Sequence, residues 1–462
     1  MQKPSVSYLI LSLALGFVSL LCVVFKIQTV QLLEGWHWQF HTQILEPLPI
    51  VIFGIVLCGA FVWLYHQKLF FWQTSVVLFI LALMSQWSFS WSNGSGISQM
   101  RHHAIASGHS EFVITASRGF KGSEILKRYE EFVLLPTQRF SPSKPPGQLL
   151  TYVALDKIAR YSMPEDPHFQ NPVPQVIDPP HRQLIDLLTF VLPTLAALTT
   201  LPFFALCRQL RLERPWIPPI LFLSSAPFSL IVMHFDQALY PLISCSMWFC
   251  VAKGVERSNI FWALLAGAAA GLGTFVSFSL LPAIVLCLPI ALAAPKLERF
   301  KWIRFFVFFV MGTAFFYLYL WLNYSYNPIE RYQNAMVHHA AWKGWVNEPW
   351  LFWLSTKLNI IELFWWLSPP AALLLFHSWG SRPPATNAIP FGILTTLILL
   401  LFLGKTIGEV ARLWLFLMPL LWIQIHTHIE DLSPKLRRVT QGAVLIFLLF
   451  WTAIFKWQQD FW

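Results

Sequence analysis

The sequence has 462 residues, of which 56% are hydrophobic and 12% are charged. Soluble proteins carry about 25% charged residues, so this chain lacks the polar side chains needed to cover a soluble fold of its length. Its net charge of +10 is typical of the anchoring charges of a membrane protein, and we expect membrane lipids rather than nucleic acid as its partners. The composition predicts an all-α, polytopic membrane protein.

Thirteen apolar segments come close to the length of about 20 residues that a helix needs to cross a bilayer. The predicted spans are 7–25, 49–65, 69–90, 184–206, 216–235, 238–254, 259–294 (two spans, broken near Ser277 to Leu280), 303–322, 361–377, 388–404, 413–428 and 441–457. No small-residue cleavage site follows the first run, which is therefore interpreted as a retained span rather than a signal peptide.

Lysine and arginine predict the orientation of these spans. With the N-terminus inside, the short inner segments carry fifteen of them, while the short outer segments and the C-terminal tail carry seven. Two large segments are then outside, which we name the first loop segment (91–183) and the second loop segment (323–360). They separate N-terminal helices (1–90), central helices (184–322) and C-terminal helices (361–462).

The first loop segment is the longest polar stretch of the chain and is predicted to carry short helices beside the membrane. An amphipathic pattern predicts one helix from Ser123 to Leu134, and a second is predicted from Gly147 to Arg160. Pro145-Pro146-Gly147 marks the start of the second helix, because proline is tolerated in a first turn but not inside a helix. Residues Pro164 to Pro180 are rich in proline and predicted to be irregular.

Two acids predicted near the outer membrane surface are candidate catalytic residues, because an unpaired polar group is costly to bury there. Glu111 is in a position to act as a general base over a membrane cavity, and the alternative is a solvated loop acid. Asp236, in a tight outer turn, could orient a sugar hydroxyl or assist a base, and the alternative is a cap for the helix that follows.

Histidine and basic residues supply the candidate binding groups. Either His338 or His339 could contact a phosphate or a sugar, but neighbouring histidines face different sides of a helix and predict no two-histidine metal site. An interfacial surface helix is the alternative for that stretch. Arg412 lies at the membrane edge one helical turn after Glu409 and needs a partner there, either a substrate phosphate or lipid head groups. The six cysteines form no CxxC pair and predict neither a disulfide framework nor a zinc site.

In chain order, these segments resemble the GT-C superfamily of membrane glycosyltransferases, which take sugars from polyprenyl- or dolichyl-phosphate carriers. The resemblance covers most of residues 90–430, and its last motif looks especially like an uncharacterised bacterial branch. The motifs are Ser110-Glu111-Phe112, Lys144-Pro145-Pro146-Gly147, Phe235-Asp236-Gln237, Asn327-Pro328 with His338-His339, and Gly408-Glu409-Val410-Ala411-Arg412-Leu413-Trp414-Leu415-Phe416. In the superfamily the loop acid is commonly Asp, and many relatives have His where this chain has Lys144.

The resemblance implies transfer of a hexosyl or pentosyl group from a polyprenyl-phosphate carrier to a glycan, lipid or protein acceptor outside a bacterial inner membrane. Glu111 would be the base, and Asp236 with His338 or His339 would position donor or acceptor. The donor phosphate would be bound by Arg412, beside Glu409, with Lys144 or Lys405. No metal is required, and metal dependence stays open.

Two other functions remain as alternatives. An O-antigen-type polymerase or ligase that uses lipid-diphosphate glycans is the nearer one, because it also transfers glycans outside the membrane from a polyprenyl carrier. A transporter is less favoured. It predicts ionisable residues at the midplane and inverted repeats, whereas Asp186 and Glu362 lie only near span ends and the sequence shows no repeat.

Overall fold

The structure is a computed structural model. It describes residues 6–26, 44–67, 69–92, 94, 96–106, 110–135, 140–162, 182–231, 235–293, 299–343, 348, 350–380, 388–402, 406 and 409–458. All regular secondary structure in these ranges is helical, which confirms the predicted all-α class. The predicted irregular stretch from Pro164 to Pro180 lies outside the described residues.

The helices of the N-terminal half are α1 (Val6–Val24), α2 (Leu48–His66), α3 (Phe71–Trp91), α4 (Ile97–Ala106), α5 (Ser110–Ser117), α6 (Gly122–Lys127), α7 (Tyr129–Phe132), α8 (Gly147–Ser162), α9 (Arg182–Leu198), α10 (Thr200–Gln209) and α11 (Ile217–Leu223). A 3₁₀ turn over Ser141–Ser143 precedes α8. A π turn over Pro227–Ile231 follows α11.

The helices of the C-terminal half are α12 (Phe235–Arg257), α13 (Ile260–Val276), α14 (Leu281–Val285), α15 (Cys287–Ala293), α16 (Arg299–Tyr324), α17 (Pro328–Lys343), α18 (Leu351–Leu367), α19 (Pro369–Gly380), α20 (Ala388–Phe402), α21 (Val410–Leu413), α22 (Met418–Glu430) and α23 (Pro434–Gln458). A 3₁₀ turn over Phe278–Leu280 joins α13 to α14.

Six helical segments in the described ranges are long and apolar enough to cross a membrane, or seven when the bent pair α18 and α19 counts as one span. The chain is therefore an integral membrane protein. The six are Leu48–His66, Phe71–Trp91, Arg182–Gln209, Gln237–Arg257, Trp302–Tyr324 and Pro434–Gln458. Four shorter apolar helical segments coincide with four more of the predicted spans: Tyr8–Val24, Ile260–Val276, Phe278–Ala293 and Ala388–Phe402.

Local breaks account for the predicted spans that are not long straight helices. The break expected near Ser277 is present, because α13 ends at Val276 and the Ser277 hydroxyl accepts the backbone N–H of Ser279 at 3.3 Å. The predicted span 361–377 is not one continuous helix: it covers the end of α18 and the start of α19, which meet at 108°. Ser368 between them has a left-handed φ of 73°, and Pro369 begins the next helix. The predicted span 216–235 contains the π turn, and 413–428 begins with turns before α22.

In the first loop segment, the predicted amphipathic helix from Ser123 to Leu134 is in fact two short helices, α6 and α7. They are separated at Arg128, which has ψ 34° and does not continue the helix. The helix predicted from Gly147 to Arg160 is present as α8. At Gly147 a Cβ would lie 2.4 Å from the carbonyl oxygen of Phe275, so only glycine fits where this helix begins against α13.

Helix α16, which leads into the second loop segment, packs against α13 with the two backbones in close approach. A Cβ at Gly267 would lie 1.9 Å from the carbonyl oxygen of Phe309, and one at Gly312 would lie 2.3 Å from that of Leu264. Small residues permit such contact between helices in a membrane. The Thr313 hydroxyl adds a hydrogen bond to the Gly267 carbonyl at 2.8 Å. This packing fixes the helix from which α17 projects.

The charge bias predicts that the first loop segment and the C-terminal end of α12 lie on opposite sides of the membrane. Lys121 and Arg257 are both exposed and suit a labelling test. In a variant with the native cysteines replaced, a membrane-impermeant maleimide applied to intact cells should label Lys121→Cys and should label Arg257→Cys only after permeabilisation. The reverse pattern would contradict the orientation.

Candidate functional site

The Glu111 carboxylate is held against the turn that precedes α8. It accepts the backbone N–H of Phe140 at 2.7 Å, the backbone N–H of Ser141 at 3.0 Å and the Ser141 hydroxyl at 2.6 Å. The first N–H groups of a helical turn have no partner within the turn, so a carboxylate from another element can satisfy them. Glu111 itself lies in the first turn of α5, where the helix dipole favours negative charge. It is therefore a half-buried, hydrogen-bonded acid rather than a solvated one.

Lys144 lies at the end of the same turn. Its Nζ is 5.8 Å from the centre of the Phe112 ring, and its backbone N–H donates to the Ser141 carbonyl at 3.0 Å. Glu111 and Phe112 are neighbours on α5, so both contact the stretch from Phe140 to Lys144, which we name the PPG turn because it leads into Pro145-Pro146-Gly147. The structure thus brings the candidate base and one candidate phosphate ligand to a single turn.

Tyr129 supports the PPG turn from α7. Its hydroxyl donates towards the carbonyl oxygens of Lys144 at 3.3 Å and Ser141 at 3.5 Å. Burial raises the pKa of Tyr129 above its ordinary value, although the nearby Arg331 guanidinium acts in the opposite direction. The hydroxyl therefore stays protonated at neutral pH and remains a donor to the turn.

Arg331, on α17, joins the second loop segment to the first. Its side chain is 1% exposed, donates to the Glu130 carboxylate at 3.1 Å and donates to the Pro142 carbonyl at 2.5 Å. The guanidinium also lies 5.6 Å from the centre of the Tyr129 ring. Asn334, almost one turn further along α17, donates to the same Glu130 carboxylate at 2.7 Å. The two loop segments are thus one packed unit, with the PPG turn between them.

The candidate histidines lie two turns beyond Arg331 on α17. His338 is exposed, and His339 is half-buried. Within the described ranges, no group of three or more His, Cys, Asp or Glu side chains is placed to hold a metal ion. Because His338 and His339 lie on α17, the helix that also carries Arg331, they belong to the same packed unit as Glu111 and Lys144.

Arg412 and Glu409 belong to a second cluster. The Arg412 guanidinium lies 3.1 Å from the Glu409 carboxylate, and both side chains are about 30% exposed. The buried Glu362 carboxylate of α18 accepts the backbone N–H of Val410 at 2.9 Å. Asn359, one turn earlier on α18, donates to the Thr406 carbonyl at 2.7 Å. Helix α18 thus fixes the chain that carries Arg412.

The two clusters are connected through the bundle. Helix α4 packs on α5 and α9, α9 on α3, α3 on the π turn, and the π turn on α21. Arg101 of α4 is paired with Asp186 of α9 at 2.6 Å, and Arg182 reaches the same carboxylate at 3.2 Å. The two remaining predicted site residues cannot be placed in either cluster: Asp236 is the second residue of α12 but its side chain is outside the described residues, as is the whole of Lys405.

An apolar groove of about 530 Å³ lies where α16 meets α17. It is lined by Met311, Ala314, Phe315, Tyr317, Leu318, Trp321, Asn327 and Pro328. Pro328 begins the helix whose next turn carries Arg331, so the groove adjoins the unit that contains Glu111. Its walls suit a hydrocarbon chain.

Sequence reasoning did not assign Arg331, Glu130 or Glu362 to a site. Arg331 and Glu130 are 201 residues apart, and no sequence pattern links them. For Glu362 a signal existed, because an acid near the end of an apolar span requires a partner when it is buried. Comparison with protein-family models and with curated proteins gave no match to this chain.

The Glu362 contact predicts a stability difference. Glu362→Ala leaves the buried Val410 N–H without its partner and should lower the free energy of unfolding by about 1–3 kcal/mol. Glu362→Gln keeps an acceptor oxygen and should retain most of that stability. Thermal unfolding of the purified variants in detergent measures both, with Glu330→Gln, an exposed site, as the control. Equal unfolding temperatures for wild type and Glu362→Ala would contradict the assignment.

Proposed function

We propose that this protein is a glycosyltransferase of the GT-C type. It transfers a sugar from a polyprenyl-phosphate carrier to an acceptor hydroxyl at the outer face of a bacterial inner membrane. In this proposal the chain crosses the membrane thirteen times, through the helices described above and their broken segments, and both loop segments lie outside. The support is the order of the sequence motifs, the charge bias and the geometry around Glu111.

The observation that carries the proposal is that Glu111 and α17 both contact the PPG turn, which itself contains Lys144. A carboxylate held by three donors is fixed in direction, as a general base must be. Glu111 takes the proton of the acceptor hydroxyl, and the oxygen of that hydroxyl attacks the anomeric carbon. The bond from that carbon to the phosphate oxygen breaks, the configuration inverts, and polyprenyl phosphate leaves.

Cationic side chains stabilise the charge that grows on the leaving phosphate, which is often a large contribution to catalysis. Arg412 is assigned this role because a planar guanidinium matches two phosphate oxygens at once. Glu409 orients the guanidinium from 3.1 Å. Lys144 and Lys405 supply further positive charge, and Asp236 with His338 or His339 positions the sugar and the acceptor.

The groove at the junction of α16 and α17 supports a lipid-linked substrate. Its walls are mainly apolar side chains of α16, and its polar Asn327 is at the end where the second loop segment begins. An isoprenyl chain in this groove places its head group beside the unit that holds Glu111. The hydrocarbon chain then contributes affinity through buried apolar surface.

Glu111→Gln tests the proposed function directly. Purified protein in lipid nanodiscs is given radiolabelled polyprenyl-phosphate hexose or pentose, and release of the sugar is measured with and without a lipid extract as the acceptor source. An amide cannot take a proton, so Glu111→Gln should lower turnover by about 10²–10⁴-fold. Turnover of lipid-diphosphate glycans alone by the wild type would instead favour a polymerase or ligase.

Ser141→Ala is the matched control for Glu111. It removes one of the three donors to the carboxylate but leaves the base in place. The backbone N–H groups of Phe140 and Ser141 still hold the carboxylate, so this variant should keep most of the turnover. If turnover falls in both variants in proportion to their thermal stability, Glu111 is only a structural acceptor.

Arg412 has a test of its own, because it belongs to the second cluster. Arg412→Ala should lose most of the affinity for undecaprenyl phosphate, and Arg412→Lys should keep part of it, since an ammonium acts as a point charge. Glu409→Gln retains the Arg412 guanidinium, so its affinity for undecaprenyl phosphate should fall less than that of Arg412→Ala. Intrinsic tryptophan fluorescence during titration measures the affinity. Unchanged affinity in Arg412→Ala with reduced thermal stability would show that the Arg412–Glu409 pair is structural.

A further inference from the structure

Arg331, the buried arginine of the second loop segment, supports the candidate base indirectly, through the PPG turn. We propose that Arg331 is a positioning residue that fixes the PPG turn and, through the turn, the direction of the Glu111 carboxylate. This inference rests on the proposed function, in which Glu111 is the base. Nothing in the sequence motifs assigns Arg331 this role.

The contacts form a continuous series from α17 to α5. The Arg331 Nη2 group donates to the Pro142 carbonyl at 2.5 Å, at the centre of the 3₁₀ turn. The residue before Pro142 supplies two donors to Glu111, its backbone N–H and its hydroxyl. A shift of Pro142 therefore moves two of the hydrogen-bond donors described for the carboxylate.

Only arginine among the natural side chains fits this position well. Its Nη1 and Nη2 groups donate to different acceptors, the Glu130 carboxylate and the Pro142 carbonyl. Lysine carries its donors on a single nitrogen and cannot reproduce that fork. Pro142 is a buried residue, so the loss of the Arg331 donor removes a charged hydrogen bond from its carbonyl oxygen.

The first experiment measures the PPG turn without reference to activity. Hydrogen exchange of the whole purified protein, followed by mass spectrometry, reports on the Phe140 and Ser141 amides, which both donate to Glu111. Arg331→Gln should lose the protection of these amides, and Arg331→Lys should lose part of it. Glu330→Gln, which removes an exposed charge beside Arg331, should leave it unchanged. Unchanged protection in Arg331→Gln overturns the proposal, and so does an equal loss throughout α8 to α12.

The second experiment measures turnover of the polyprenyl-phosphate sugar. Displacing a catalytic group by about 1 Å costs up to about 10²-fold in rate, so kcat of Arg331→Gln should fall by about that factor while KM for the donor is unchanged. Arg331→Lys should recover part of kcat. A rise in KM alone, or unchanged kcat after loss of protection, overturns the positioning role. If the wild type does not turn over the donor, the proposed function is wrong. The hydrogen-exchange result still decides whether Arg331 fixes the PPG turn.

Discussion

A backbone turn rich in proline cannot satisfy all of its own polar groups, and the candidate site is built around one such turn. Between Phe140 and Gly147 three residues are proline and have no N–H to donate. The backbone N–H groups of Phe140 and Ser141 donate to Glu111, and carbonyl groups of the turn receive donors from Tyr129 and Arg331. Each partner comes from a different helix. Hydrogen bonding thus gathers α5, α7 and α17 around one point, and apolar packing beneath them completes the unit.

The acidic and basic side chains of the two clusters differ in how they are held. The contacts described for Glu111 include backbone and hydroxyl donors, whereas the Arg412 guanidinium is paired with the side-chain carboxylate of Glu409 and is about 30% exposed. Backbone donors have fixed directions, while an exposed ion pair is weak and exchanges readily with other ions. Under the proposed function, this difference suits Glu111 as a base with a fixed direction and Arg412 as a cation that takes a phosphate as its partner.

Much of the fold follows from patterns that are local in sequence. The break at Ser277 was predictable because the apolar run 259–294 is too long for one span, and the start of α8 followed from Pro145-Pro146-Gly147. The sequence also carried a signal for the bend at Ser368, because the residue before a proline disfavours the helical conformation. The apolar composition of the predicted span 361–377 masked that signal. Contacts between distant segments carried no such signal. Glu111 binds backbone groups 29 and 30 residues away, which any sequence can present, and Arg331 meets Glu130 only because two loop segments pack together.

The close packing of α13 and α16 has a mechanical consequence. A Cβ at Gly267 would lie 1.9 Å from the Phe309 oxygen, so no side chain fits between the two backbones, and the Thr313 hydroxyl links them by a hydrogen bond to the Gly267 carbonyl. Helix α16 is held in place by this packing against α13, and a three-residue connection leads from its end to α17. Ser325 in that connection has a left-handed φ of 56°. A movement of α17 relative to α16 therefore has its pivot at Ser325 to Asn327.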